Sequence, residues 1–300
     1  MNETSQLQAP PMRISVGGVS LNLRVQGKGE ALLLLHGFTG SMRTWTPHIP
    51  ALRNQFQVIT LDLVGHGGSD APLDPARYRT DMCIKDVLHV LDYLQIDSFH
   101  MLGYSLGGRV ALSIATNHPQ RIRSLIIESA TPGLSDPVER RQRILSDDAL
   151  AELIESEGVE AFVNQWEKLS IFITQRLLPR TVQDELRQQR LRNTPRGLIN
   201  SLRALSTGVM PPVWDKLSRL TMPVLLIAGD LDKKYVQLAI TMNAQIKGSR
   251  LAVVPGSGHT VHLERPAEFD SLVLSFLLEA QANRAYTQAQ AALSQTSQPR

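Results

Sequence analysis

The stretch Gly103-Tyr104-Ser105-Leu106-Gly107-Gly108 decides how the 300-residue chain is read. It follows the short apolar run 100–102 and opens into the helical pattern 106–117, so it occupies a strand-to-helix turn. Small residues at Gly103 and Gly107 let the chain turn sharply and bring neighbouring backbone close. The serine hydroxyl is then projected above the sheet, and the following amide points at the reacting oxygen. This is the pattern of a nucleophile elbow. A glycine-rich turn with an incidental serine would fit the same six residues, but it would require no partners downstream.

The runs 31–35, 58–61, 100–102, 125–127, 224–227 and 251–254 are short, apolar and bounded by turn residues, as buried and mostly parallel strands are. Helical patterns such as 80–94 and 106–117 lie between several of them. This alternation predicts a doubly wound α/β sheet. Ahead of it, 12–15 and 20–25 alternate around Gly17 and Gly18, which predicts an antiparallel hairpin at the sheet edge.

The downstream partners are present. Asp232 follows the run 224–227 in Gly229-Asp230-Leu231-Asp232, and His259 follows the run 251–254 in Gly256-Ser257-Gly258-His259. Ser, then Asp, then His is the order of an α/β-hydrolase fold, with the acid and base leaving the carboxyl ends of strands. His259 would take the serine proton, and Asp232 would fix its tautomer. Asp230 is the rival acid, but it lies closer to the strand end and is assigned to turn structure.

His36-Gly37-Phe38 follows the first parallel strand and supplies the second half of an oxyanion hole, the amide of Phe38 joining that of Leu106. His36, before a turn glycine, is read as hydrogen-bonded structure. Asp62, Gly65, His66, Gly67 and Ser69 form a further loop after a strand. An Asp and a His could hold a metal there, but the glycine spacing favours a turn packed near the pocket.

Between 128 and 224 the strand pattern gives way to charged amphipathic helices at 137–157, 159–168, 181–189 and 195–204. An insertion of this kind is expected to cap the carboxyl ends of the strands, where open α/β sheets bind ligands. The domain reading is an N-terminal extension 1–11, a core 12–134 and 215–280, a helical cap 135–214, and a flexible tail 281–300 rich in Gln, Ala, Ser and Thr.

Composition narrows the class. At 42% hydrophobic and 20% charged residues, neither wholesale disorder nor a fibrous architecture is expected. The net charge of +3 comes without a continuous polybasic tract, which argues against nucleic-acid binding. One cysteine, Cys83, cannot form an intrachain disulfide, and its apolar helical surroundings mark it as core rather than nucleophile. No secretory pattern opens the chain, and no run approaches the roughly 20 apolar residues of a membrane span, so cytoplasmic residence is the expectation. No metal-ligand cluster or phosphate loop is read, and no cofactor is expected.

Taken together, Leu35-His36-Gly37-Phe38-Thr39-Gly40-Ser41, Asp62-Leu63-Val64-Gly65-His66-Gly67 and Gly103-Tyr104-Ser105-Leu106-Gly107-Gly108-Arg109 resemble the MenH family. These are the 2-succinyl-6-hydroxy-2,4-cyclohexadiene-1-carboxylate synthases of menaquinone biosynthesis. The arginine after the double glycine is more particular to that family than the first two motifs are. In the cap, Glu128-Ser129-Ala130-Thr131-Pro132-Gly133-Leu134, Phe162-Val163-Asn164-Gln165-Trp166-Glu167 and Leu191-Arg192-Asn193 are similar to family segments, and the likeness runs from about 32 to 266.

The resemblance implies a lyase that eliminates pyruvate from an enolpyruvyl cyclohexene, with the triad acting as base and no water consumed. The substrate is small and anionic, with several carboxylates, for which guanidinium groups suit. The resemblance places Arg109, Arg143 and Arg192 at those carboxylates, with Arg140 and Arg141 as neighbours that a one-turn shift would exchange for Arg143. It also places Tyr104 and Trp166 against the substrate. The chain departs from the family run at Ser206 and Met210. A serine hydrolase of an ester or vinylogous 1,5-diketone would use the same triad. A ligand-binding receptor on a vestigial hydrolase would keep the fold without turnover.

Overall fold

The structure, a computed structural model, describes residues 10–296. Residues 1–9 of the expected N-terminal extension and 297–300 of the expected tail lie outside the described residues. Eight strands form one sheet: β1 (Met12–Val16), β2 (Val19–Gln26), β3 (Glu30–Leu35), β4 (Phe56–Leu61), β5 (Phe99–Tyr104), β6 (Ile122–Glu128), β7 (Val224–Gly229) and β8 (Arg250–Val254). Their order is β1-β2-β4-β3-β5-β6-β7-β8. β1 and β2 pair antiparallel at the edge, β2 joins β4 antiparallel, and every later pairing is parallel. The doubly wound sheet and its edge hairpin are thus as the strand pattern predicts.

The run Leu32-Leu33-Leu34-Leu35 shows why these strands are apolar on consecutive residues. Side chains alternate faces along a strand. Leu33 and Leu35 enter the core on one face of the sheet, and Leu32 and Leu34 enter the core on the other. All four are fully buried, each contributing about 1.5–3 kcal/mol over exposure. Between strands the chain forms the one-turn helix α1 (Ile49–Leu52), then α2 (Thr80–Tyr93) and α3 (Leu106–Asn117). Cys83 on α2 is buried in the first of these cores, and its thiol is pushed up to about 12 by burial and then by Asp86.

The insertion consists of α4 (Pro137–Trp166), α5 (Arg180–Leu191) and α6 (Pro195–Ala204), with a 3-10 segment at Ser170–Leu177. Asp136 caps α4 and Thr194 caps α6, each accepting from an amide of the first turn, and a proline follows each cap. α4 is interrupted at Gly158 (φ 85°, ψ 176°), which separates the two helices expected at 137–157 and 159–168. The cap has its own core of Ala151, Ile154, Phe162, Val163, Trp166, Phe172, Leu198 and Leu202.

The chain closes with α7 (Lys233–Gln245), the one-turn α8 (Val261–Glu264) and α9 (Pro266–Thr296). The expected core–tail boundary at 280 falls inside α9, which continues to Thr296. Ala, Gln and Arg are good helix formers, so nothing in 281–296 stops the helix, and Arg284 ties it to Glu30 on β3 through an ion pair. Among the described residues no helix is long and apolar enough to cross a membrane.

Candidate active site

The parallel register brings the ends of the central strands together: Leu35 pairs with Gly103, Tyr104 with Glu128, and Gly229 with Val254. The three residues after β5, β7 and β8 therefore converge. Ser105 has φ 50° and ψ −108°, a conformation an L-residue seldom adopts. The turn is held because its amide donates to the Glu128 carbonyl (2.9 Å) and its carbonyl accepts from the Arg109 amide (3.0 Å). At Gly107 a Cβ atom would lie 2.2 Å from the Leu35 carbonyl oxygen, so only glycine permits this approach.

His259 Nε2 lies 3.2 Å from Ser105 Oγ, and His259 Nδ1 lies 2.6 Å from Asp232 Oδ2. With a carboxylate at Nδ1, the proton resides there and Nε2 is left to accept from the serine. The imidazole is 1% exposed, whereas Ser105 is half-buried. Asp232 also caps α7, its Oδ1 accepting from the Tyr235 amide at 3.4 Å. Asp230 faces elsewhere and accepts from the Gly256 amide (2.8 Å), which ties the two loops together. It is the turn residue expected.

Ser105 opens into a cavity of about 350 Å³ between the sheet and the cap. Phe38, Leu106, Tyr104, Arg109, Arg143 and Trp166 all line it. Leu106 begins α3, so its amide has no acceptor within the helix. Arg109 is buried, donating to the Leu205 carbonyl (3.2 Å) and Met210 Sδ (3.3 Å). Burial first, and Arg143 second, lower its pKa to about 10. Arg143 pairs with Asp147 through Nε at 2.7 Å, leaving its terminal nitrogens available. Arg140 instead donates to the carbonyls of Gly208 and Val209, and Arg141 is exposed. The cap arginine in the cavity is thus Arg143.

Arg192 is not in this cavity. It is exposed on a separate cleft with Arg24 and Arg43. The buried arginine is Arg190, two residues earlier, which bonds Glu167 (3.0 Å) and Gln175 (2.8 Å) and sits 5.3 Å over the Phe172 ring. Two residues on a helix differ by about 200° in direction, which is why the neighbours face opposite ways.

Three polar atoms on the wall, Trp166 Nε1, Ser201 Oγ and Ser206 Oγ, are buried with no hydrogen-bond partner among the described residues. Ser206 and Met210, the two departures from the family run, therefore lie at the wall and against Arg109. Tyr235, which sequence reasoning missed, packs its ring edge-on against His259 at 4.5 Å, and burial raises its phenol. Its signal was its position in the first turn after the acid.

His36 and the loop after β4 support the site from behind. His36 Nε2 accepts from the Leu63 amide (3.1 Å), so Nδ1 carries the proton and donates to the Gly37 carbonyl (2.8 Å). Asp62 is saturated by Met42 N, Asn22 Nδ2 and Gly68 N.

Comparisons with known proteins give the family. A family model described as the alpha/beta hydrolase fold matches residues 30–266. A Bacillus subtilis relative, whose name places it among the 2-succinyl-6-hydroxy-2,4-cyclohexadiene-1-carboxylate synthases, is 40% identical over 83% of this chain and 90% of its own. The synthase of that name from Serratia proteamaculans is 30% identical, covering 86% of this chain and 98% of its own. The solved structure of MenH from S. aureus superimposes with a TM-score of 0.83 at 38% identity, over 87% of this chain and 98% of that one. By fold, site and relatedness, the chain belongs to the α/β-hydrolase fold family and, within it, to the 2-succinyl-6-hydroxy-2,4-cyclohexadiene-1-carboxylate synthases.

Proposed function

We propose that this enzyme eliminates pyruvate from 2-succinyl-5-enolpyruvyl-6-hydroxy-3-cyclohexene-1-carboxylate, giving 2-succinyl-6-hydroxy-2,4-cyclohexadiene-1-carboxylate for menaquinone biosynthesis in the cytoplasm. The observation that carries this reading is the Asp232–His259–Ser105 chain, with links of 2.6 and 3.2 Å, whose serine opens into a cavity that Arg109 and Arg143 also line.

Ser105, with its proton passed to His259, removes the ring hydrogen α to the succinyl carbonyl. The electron pair forms the new ring double bond, the existing one shifts, and the carbon–oxygen bond to the enolpyruvyl group breaks. The departing enolate takes a proton on its methylene carbon, for which His259 is the stored source, and pyruvate leaves. Substrate equals product plus pyruvate, and no water enters. The amides of Phe38 and Leu106 stabilise the succinyl carbonyl oxygen as enolate charge develops there, while Arg109 and Arg143 hold carboxylates.

The test is pyruvate release coupled to lactate dehydrogenase. Fast release by the wild type that is largely lost in Ser105→Ala supports the lyase. Release no faster than the spontaneous background, with turnover of simple esters instead, makes the enzyme a serine hydrolase.

A further inference from the structure

Glu128 ends β6 with its carboxylate fully buried. It bonds the Ser105 amide on one side and His262, three residues after His259, on the other, without belonging to the triad. Its backbone carbonyl accepts the Ser105 amide at 2.9 Å, the bond that pins the strained elbow. Its side chain reaches α8, where Oε1 accepts the His262 backbone amide at 3.0 Å and both carboxylate oxygens lie 2.9 Å from His262 Nδ1. His262 is three residues after His259, so this pair of hydrogen bonds fastens the segment that carries the base.

The His262 ring meets Tyr104 edge-on at 4.7 Å, and Tyr104 in turn lies 5.5 Å from the His259 ring. Tyr104 also fills the space above Gly37 in the oxyanion loop, where a Cβ atom would come within 2.5 Å of the tyrosine ring. Nucleophile, base and oxyanion loop are therefore all referred to one buried carboxylate–histidine pair.

We propose that Glu128 and His262 are positioning residues, a clamp that sets the alignment of Ser105 with His259 through hydrogen bonds rather than by filling space. The proposal rests on reading Ser105 and His259 as a working pair, and not on which reaction they run. A buried carboxylate is retained only where its acceptors are met, and here the donors come from the loop whose placement the chemistry needs. A displacement of about 1 Å in such a pair costs on the order of a hundredfold in rate.

The test compares His262→Asn, which keeps a donor near the position of Nδ1, with His262→Leu, which keeps apolar bulk. The readout is the rate of covalent labelling of Ser105 by a fluorophosphonate probe, with melting curves confirming that each variant is folded. The clamp predicts labelling within about threefold of wild type for His262→Asn and slowed about tenfold or more for His262→Leu. Equal rates, or a leucine variant faster than the asparagine variant, overturn it, because the ring then only fills space.

If His262→Leu does not fold, Glu128→Met carries the same test. It keeps much of the bulk but removes the acceptors of the His262 amide and Nδ1, so slowing of about threefold or more supports the clamp and a wild-type rate overturns it. A wild type that does not label removes the poised pair, and the clamp with it. Labelling without pyruvate release sinks the lyase reading alone.

Discussion

Met210 Sδ lies 3.3 Å from Nη1 of Arg109, and the Leu205 carbonyl reaches the same nitrogen at 3.2 Å. Both partners are neutral, so they orient the guanidinium without neutralising it. Burial, then Arg143, lowers the Arg109 pKa to about 10, which is the mark of a cation kept where an anion would relieve it.

Replacing Arg109 by Met should therefore separate function from stability. Loss of a charge-assisted hydrogen bond to a carboxylate costs about 1.5–3 kcal/mol, or about 10- to 100-fold in kcat/KM. The melting midpoint should hold or rise, since a desolvated cation is removed from a neutral setting. Steady-state pyruvate release and thermal melts check both signs. A fall in stability with unchanged kcat/KM would make Arg109 a structural residue.

Asp232→Asn should leave the fold intact and lower kcat by about a thousandfold or more with little change in KM, because an amide at Oδ2 favours the wrong imidazole tautomer. The 2.6 Å link to His259 Nδ1 is the contact that changes character. Asp230→Asn, which alters only the bond to Gly256, should stay within about threefold of wild-type kcat.

Much of this site was legible in the sequence because its chemistry depends on local constraints. Ser105, Asp232 and His259 each follow a strand, and glycines mark where the backbone must turn or approach closely. Phe38 and Leu106, expected for the same reason, both line the cavity. The cap was less legible. Its helices were expected, but which residue of an amphipathic helix faces the site depends on rotation about the helix axis, which motif likeness does not determine. Arg143 rather than Arg140 or Arg141 faces the cavity, and Arg192 faces away while Arg190 is buried. Tyr235 was missed because an aromatic residue one turn into a helix has no motif of its own.

The two cap arginines give the corresponding prediction. Arg192→Ala should leave kcat/KM within about twofold and the melting midpoint unchanged, as exposed substitutions usually do. Arg190→Ala removes the partner of Glu167 and Gln175 and the cation over Phe172, so it should lower both activity and melting midpoint. The comparison is made under identical buffer and salt. Equal effects of the two substitutions would contradict the placement of these side chains.

Stability at low pH follows from His66, which is buried behind the loop that carries Phe38, with its Nδ1 3.1 Å from the Val64 carbonyl and its ring 5.8 Å from Phe38. Burial, and secondarily His36, lowers its pKa from 6.5 to about 3. His36 is lowered too, again chiefly by burial. A group with a depressed folded-state pKa contributes its full share above the unfolded pKa, here above pH 6.5, where both states are neutral. As pH falls through 6.5 the unfolded chain takes the proton first, and stability is lost progressively until about pH 3. At pH 5 the loss from His66 alone is about 2 kcal/mol. Urea unfolding at pH 7.5 and pH 5 should show a drop of at least that size in the wild type. His66→Gln, which keeps a hydrogen-bonding side chain but cannot titrate, should show a drop smaller by about 2 kcal/mol. Equal acid losses in the two proteins would mean that His66 titrates near its ordinary value in the folded enzyme, and that the loop behind Phe38 is wetter than its packing implies.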